Sequence, residues 1–376
     1  MLQTLKALLH RRYSPLNRIE ISAKHIRHNY AYLSSLNPNI QVSPVIKSNA
    51  YGHGLVLVAK ELEKLKAPFL CVDSLFEAYE LLKAGIKTPI LIMGYIHPES
   101  LRTKKLPFSF AVYDYELLVA LDRFQPRAKV HLFIDTGMHR EGIQIKDLDT
   151  FLQKIQSSNI ELEGVMSHLG MSEKPDDSLT KKQVDMFQAA VQTIHSKGLQ
   201  PKWTHIANSS GLLNQKLFKG KLGTVARTGI AFYGYDPDGN KNLKPLLLLK
   251  TQIVQIKSLN KGEKVGYDFT FTAPKNMKIA VLPIGYYDGV DRRLSNKGYV
   301  SIKGKFCKML GRVSMNLTTV DVTDVPDAKV GTEVTVYSSN PKDLNSIQRA
   351  ADLCGTIPHD ILVHLASSTK RMLVNR

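Results

Sequence analysis

The chain has 376 residues, 43% of them hydrophobic, and its 51 Lys and Arg against 33 Asp and Glu give a formal charge of +18. This supplies a large core or two domains and excludes a disordered or collagen-like chain; no run approaches the roughly 20 apolar residues of a bilayer-spanning helix. Three scattered cysteines, Cys71, Cys307 and Cys354, form neither a disulfide framework nor a metal-ligand spacing and point to a reducing, cytoplasmic compartment.

Residues 1–17 mix apolar and basic residues. Their apolar run breaks at Lys6 and no small-residue cleavage site follows, so they read as an N-terminal extension and not as a secretory signal. From residue 42, short apolar runs alternate with amphipathic stretches. VSPVIK leads to GLVLVAKELEKL, FLCVD to SLFEAYELLKAG, PILIMG stands before FSFAVY, and FSFAVY leads to DYELLVALDRF. VHLFID then precedes KDLDTFLQKIQ, LEGVMSH precedes LTKKQVDMFQAAVQTIHSKG, WTHIAN precedes SSGLLNQK, and TVARTGIAFYG closes the series. Eight strands alternating with helices over about 200 residues is the arithmetic of an α/β fold of the (β/α)8 TIM barrel kind, whose site is built at the C-terminal strand ends. A doubly wound open sheet is the competing arrangement.

After LKPLLLLKTQIVQIKSL the pattern changes to β-branched runs and turns: EKVGYDFTFTA, KIAVLPIGY, GYVSIKG, FCKMLGRV, LTTVDVTDV and GTEVTVYSS. One helical segment, KDLNSIQRAADLCGT, is expected to open at Asn340-Pro341 and close near Gly355. The expected organisation is a barrel over 18–243, its first strand a candidate partner of the second domain, then a mainly-β domain over 244–376. Residues 241–310 hold 14 Lys and Arg against four acids. These cations are interleaved singly, without an RNP signature, zinc finger or basic helix, and describe a basic surface; a nucleic-acid binder would instead show salt-sensitive association with DNA or RNA.

An apolar strand ends on Lys47 in VIKSNAYGHG (45–54), and a Gly-containing loop leads on to a helix. A lysine at a barrel strand's C-terminal end faces the site, where partial burial and neighbouring cations expose its amine as a nucleophile towards an aldehyde. By itself, such a lysine is an ordinary solvated strand terminus.

Together with DTGMHREG at 135, SHLG at 167, HIANSSG at 205, ARTGIAFYG at 226, VGYDFTFTA at 265, PIGYYDG at 283 and GRVSMNLTTVDVTD at 311, this segment resembles the bacterial alanine racemases over about residues 18–376. The resemblance implies a pyridoxal 5'-phosphate enzyme of fold type III that interconverts L-alanine and D-alanine. It implies that Lys47 holds the cofactor aldehyde and is one catalytic base, that Tyr51 contacts the phosphate, and that Tyr267 is the opposite base. Racemisation removes the Cα proton on one face and returns it on the other, so two bases must flank the cofactor. In this family the tyrosine reaches the other subunit's barrel, which implies a head-to-tail homodimer with two shared sites.

The resemblance further sets Arg227 against the pyridine nitrogen, where a guanidinium that keeps its proton leaves the ring a weaker electron sink. His168 lies against the ring and links Arg227 to Tyr267, while His205 supports the site. The backbone of Gly229 and Ile230 cradles the phosphate with Asn208 and Ser209, which also read as helix N-cap residues. Arg140 binds the substrate carboxylate, Met315 adds a backbone contact from the partner, and Tyr286 narrows the entrance. One methylene discriminates by only about 1–3 kcal/mol in a pocket, so serine is expected to be tolerated.

Three positions depart from the family pattern. Many relatives carry a carbamylated lysine two residues before DTGM; here Phe133 stands there, so Arg140 must be oriented by another acid, an anion or packing, and Lys129 lies four positions too early. His359 in TIPHDIL occupies the place of a common phosphate-binding tyrosine, and Asn316 that of a frequent aspartate. A broader amino-acid racemase is the close alternative. A basic-amino-acid decarboxylase on a similar scaffold and a cofactor-binding protein without turnover stand further off. Supply of D-alanine for peptidoglycan is the role implied, with alanine breakdown as the other.

Overall fold

The computed structural model describes residues 15–236 and 239–375; residues 1–14 of the extension lie outside them. The chain divides into two compact units, one of residues 23–246 and one that joins the described residues before Ala23 to 247–374. The division thus falls at 246/247, three residues beyond the expected 243/244.

The first unit is built on eight parallel strands: β2 (Gln41–Pro44), β3 (Leu70–Val72), β4 (Ile90–Ile92), β5 (Ser109–Val112), β6 (Lys129–Phe133), β7 (Glu161–Met166), β8 (Trp203–His205) and β9 (Val225–Thr228). Strands β3 to β8 pair in sequence order, and β2 pairs with β9. Single bonds seal the two seams: Val45 bridges Cys71 beside β3, while Thr224 and Arg227 donate their N–H groups to the carbonyls of Thr204 and Ala207. The sheet therefore closes into a barrel, and the open doubly wound arrangement is set aside.

The helices that follow these strands owe their starts to local chemistry. Ser74, Asp114 and Asp177 each accept a first-turn N–H, and so begin α3 (Leu75–Lys83), α4 (Tyr115–Phe124) and α6 (Ser178–Ser196). The remaining helices of this unit are α1 (Ala23–Ser35), α2 (Leu55–Glu63), α5 (Leu148–Gln156) and α7 (Ser209–Leu213). Inside the barrel, Val45, Phe69, Cys71, Leu91, Ala111, Phe133, Met166, Trp203 and Val225 form one apolar cluster that holds the strand ends in place.

The second unit is mainly β. Its larger sheet runs β16 (Lys305–Lys308), β15 (Tyr299–Ile302), β18 (Glu333–Tyr337), β10 (Leu247–Gln252), β1 (Arg18–Ser22) and β19 (Lys370–Val374). A three-stranded sheet joins β11 (Gln255–Leu259), β14 (Met277–Leu282) and β17 (Thr318–Asp321), and β12 (Lys264–Val265) pairs with β13 (Phe271–Thr272). The chain's opening strand β1 thus lies between β10 and β19, antiparallel to one and parallel to the other.

Two local expectations are corrected here. The helix expected from Asn340-Pro341 begins later, as α8 (Ile347–Cys354), because Ser346 accepts the Arg349 N–H while Asn340 and Ser338 are tied to Asp343 in a turn. Gly355 does end it, in the left-handed conformation. A second helix, α9 (Pro358–Val363), follows with Pro358 in its first turn.

Candidate active site

Beyond β2 the chain enters a left-handed turn. Ser48, Asn49, Ala50 and Tyr51 all have φ between 51° and 55°. Each non-glycine residue held there costs roughly 1–2 kcal/mol, and such strain survives only where the surroundings over-determine it. Glu77 supplies part of that constraint, accepting the N–H groups of Asn49 (3.1 Å) and Asp73 (3.0 Å), while the Asn49 side chain accepts the Leu55 N–H. The turn sets the Lys47 amine 3.0 Å from the Asp73 carboxylate at the end of β3.

Tyr51, at the end of this turn, stacks on Tyr233 at 4.7 Å, and the Tyr233 hydroxyl donates to the Val45 carbonyl. Burial pushes the Tyr51 phenol up to about 12. Gly229, just past β9, is bare because a Cβ there would come within 2.5 Å of the Tyr51 hydroxyl. Ser209 lies beside the same turn, its hydroxyl oxygen accepting the N–H groups of Gly229 (3.0 Å) and Ala231 (3.2 Å). Ile230 is buried between them in sequence. Asn208 caps α7, taking the Gly211 N–H and the Ser172 hydroxyl proton on its side-chain oxygen.

Arg227 is buried at the end of β9. Its Nη1 lies 2.7 Å from His205 Nδ1 and donates to the His205 carbonyl, and its Nη2 donates to the Ser167 carbonyl and lies 3.2 Å from His168 Nδ1. Burial lowers the guanidinium to about 10, still charged at neutral pH. Burial first, and then the charges of Arg227, Arg140 and Lys47, lower His168 to about 3, so its imidazole is neutral. Because an arginine can only donate, His168 Nδ1 is the acceptor and its proton sits on Nε2.

Arg140 is exposed in the loop after β6, with its Nε 2.5 Å from the Glu141 carboxylate. The adjacent Asp135 accepts the N–H groups of Gly137 and His139, which, with burial opposing them, hold its carboxyl below the usual range. Phe133 is a member of the apolar cluster and meets Tyr113 edge-on at 6.0 Å.

Four further candidates lie on the second unit. Tyr267 sits in a short turn between β12 and β13, pinned by the Arg312–Asp268 ion pair (2.8 Å). Tyr286 and Tyr287 donate their N–H groups to the carbonyls of Ser314 and Met315, which fixes Tyr286 beside Met315. All three candidates here, Tyr267 (68% exposed), Tyr286 (41%) and Met315 (55%), present open side chains. His359 lies on α9, half-buried, with burial lowering its imidazole.

The structure thus brings Lys47, Tyr51, His168, Asn208, Ser209, Arg227, Gly229 and Ile230 onto one barrel. Sequence reading missed Asp73, Glu77, Glu141, His131 and Glu163. Asp73 carried a usable signal, since FLCVD ends on it as VIK ends on Lys47; Glu77 acts through the backbone and left none.

Side chains gathered where barrel strands end are an enzyme's arrangement, and the class here is the two-domain kind in which a barrel and a β unit share one chain. The sequence matches the families described as alanine racemase, N-terminal domain, over residues 21–237, and alanine racemase, C-terminal domain, over residues 246–373. It is 36% identical to an alanine racemase of Syntrophobacter fumaroxidans (91% of this chain, 93% of that one) and 35% identical to one of Citrifermentans bemidjiense (94% and 97%). Among solved structures it resembles an alanine racemase of Clostridium difficile 630 (TM-score 0.89, 29% identity, 97% and 98% covered) and one of E. faecalis (TM-score 0.87, 30%, 96% and 99%). The chain belongs to the alanine racemase family, a family of isomerases.

Proposed function

We propose that this protein is a pyridoxal 5'-phosphate-dependent alanine racemase, working as a homodimer in the cytoplasm and supplying D-alanine for peptidoglycan. The observation that carries the reading is the convergence of Lys47, Arg227 and His168 on one barrel, with Arg227 Nη2 3.2 Å from the His168 ring and burial, then the neighbouring charges, lowering that imidazole. The cofactor's fit rests on the turn at Gly229, kept bare beneath the Tyr51 hydroxyl, and on N–H groups gathered around Ser209. These would hold the phosphate with Asn208 and Ile230, while the Lys47 amine would hold the aldehyde. When bound, the cofactor supplies the electron sink that acidifies the substrate Cα–H.

The protein's own groups do the rest. Lys47 takes or gives the proton on one face and Tyr267 of a second copy does so on the other. The four Nη hydrogens of Arg227 have partners on His205, Ser167 and His168, so its Nε–H is the donor that would face the cofactor ring. Neutral His168 keeps its Nε2–H to donate to the Tyr267 oxygen, the orientation in which that oxygen is ready to accept a proton. Arg140 grips the substrate carboxylate, and Glu141 orients it where relatives use a carbamylated lysine. Support for the second copy comes from the exposed Tyr267, Phe269, Tyr286, Tyr287, Met315 and Leu317, an apolar surface of the kind that marks an interface.

The test combines polarimetry on L-alanine with borohydride reduction of the loaded protein. Racemisation that borohydride abolishes, with one reduced cofactor fixed on Lys47, is the expected result. In heavy water, Tyr267→Phe should stop deuterium uptake from one enantiomer and Lys47→Ala from both; equal, mild losses would end the two-base reading.

A further inference from the structure

A hydrogen-bonded chain runs from Arg227 through the barrel interior towards the opposite mouth. His205 Nδ1 lies 2.7 Å from Arg227 Nη1, His205 Nε2 lies 2.7 Å from His131 Nδ1, and His131 Nε2 lies 3.2 Å from Glu163 Oε2. Arg227, His205 and His131 are 4%, 0% and 1% exposed, so the path is shut off from bulk solvent. Among the described residues, no carboxylate lies within ion-pair distance of Arg227, whose charge meets an acid only through these two rings.

The direction of every proton follows from the first donor. A guanidinium has no acceptor, so His205 Nδ1 must carry the lone pair and His205 Nε2 the proton. That proton makes His131 Nδ1 an acceptor in turn, which places the His131 proton on Nε2, facing Glu163. Burial lowers both imidazoles and keeps them neutral. The chain ends on an acceptor that is held ionised: Ser109 donates to Glu163 Oε2 at 2.5 Å and Lys129 to Oε1 at 2.9 Å. Beyond it opens a cavity of about 320 Å³ lined by Lys87, Lys105 and Arg127, among others.

Two backbone features show that the chain is built and not incidental. The β6–β7 pairing slips between Val130 and His131, so that Leu162 faces Val130 and Gly164 faces His131, and Glu163 is the extra residue. Such a bulge re-aims a side chain. Gly164 in turn leaves room for the imidazole, since a Cβ there would meet His131 Nδ1 at 2.5 Å.

We propose that Glu163 and His131 are positioning residues that act through His205 on Arg227, fixing the tautomer of both rings so that a lone pair always faces the guanidinium. The inference rests on the reading of Arg227 as the residue that faces the cofactor ring. With the carboxylate replaced, His131 can hold its proton on Nδ1, His205 must then accept on Nε2, and a His205 Nδ1–H would oppose the Arg227 donor.

The experiment is ring-nitrogen NMR of the ligand-free, full-length protein labelled on histidine, alongside kinetics of the cofactor-loaded protein. Wild type should show His131 and His205 both protonated on Nε2 only. In Glu163→Leu, which removes the acceptor, at least one ring should move to Nδ1–H, and kcat should fall about 10-fold or more with KM within about twofold; Glu163→Gln, whose side-chain oxygen can still accept from His131, should retain both tautomers and recover part of the rate. Mixed or Nδ1 tautomers in the wild type, or Glu163→Leu with unchanged rings or unchanged kcat, would overturn the proposal. If wild type shows the expected tautomers yet does not racemise, the functional reading fails while the hydrogen-bond assignment stands, and only the link to catalysis is lost.

Discussion

Gly229 approaches the Tyr51 hydroxyl so closely that a methyl group on its Cα would sit 2.5 Å from that oxygen. The backbone at Gly229 has no positive φ, so the constraint is one of space and not of conformation. Gly229→Ala should therefore fold, push Tyr51 out of its stack on Tyr233, and weaken pyridoxal phosphate binding. The loss of one hydrogen bond to a charged group, about 1.5–3 kcal/mol, corresponds to roughly 10-fold or more in affinity. Fluorescence titration of the apoprotein with the cofactor measures it. An unchanged Kd would show that Tyr51 does not serve the phosphate.

Acid should destabilise the protein earlier than its carboxylates alone would. Three histidines in the barrel, His131, His168 and His205, are buried neutral with their pKa values lowered in the fold. Between about 6.5 in the unfolded chain and the lower folded values, the unfolded state binds more protons, so stability drops as pH falls below about 6.5. Each group contributes up to about 1.4 kcal/mol per pH unit, so His168→Asn should shallow the slope by up to that amount. Glu163 adds a later limb. Burial opposes it, but hydrogen bonds from His131, Ser109 and Lys129 hold this carboxyl at about 2, giving stability above pH 4.5 that is lost towards pH 2. It is worth roughly 2 kcal/mol once screening at a partly solvent-accessible site is allowed for. Urea midpoints from pH 8 down to acid resolve both limbs.

The barrel was legible because its strands carry apolar runs bounded by helices of the other period, and each strand-end motif fell where side chains converge. What escaped was set by contacts distant in sequence. His131 shares a face of β6 with Lys129 and Phe133 and was readable as inward-facing, but its partner Glu163 comes from a one-residue bulge that no alternation pattern reports. The late start of α8 was missed for a related reason: Asn340-Pro341 has the look of a helix opening, yet Asp343 captures Asn340 and Ser338 and leaves Ser346 to cap. VGYDFTFTA read as one strand run, whereas Gly266 at φ 72° and Asp268 at φ 59° break it into two short pieces and turn Tyr267 outwards.

Arg227→Lys should cost both stability and function. The guanidinium fork reaches two carbonyls and two imidazoles from one buried position, and an ammonium cannot span them. At least one buried carbonyl, of Ser167 or His205, would lose its donor, at about 1–3 kcal/mol. A fall in the urea midpoint of apoprotein at neutral pH is expected, and it should appear without any cofactor present. If the apoprotein keeps its stability, the fork's bonds are replaced by water.

Glu141 and Phe133 bear on the same arginine in opposite ways. The Arg140 Nε–Glu141 contact of 2.5 Å supplies an anion from the next residue in the chain, whereas Phe133 is committed to the apolar cluster against Tyr113. Glu141→Gln should then free the Arg140 side chain and, on the proposed role of Arg140, raise KM for alanine about 10-fold while kcat changes less, because a carboxylate grip would serve bound substrate and transition state alike. Introducing the relatives' residue, Phe133→Lys, should not improve binding by itself. The new ammonium would enter a packed apolar layer and cost several kcal/mol of stability unless carbamylated. Steady-state kinetics of both variants with and without added bicarbonate separates the cases: a bicarbonate-dependent fall in KM in Phe133→Lys, with none in wild type, would place position 133 within reach of Arg140, and no response would leave Glu141 as its orienting acid.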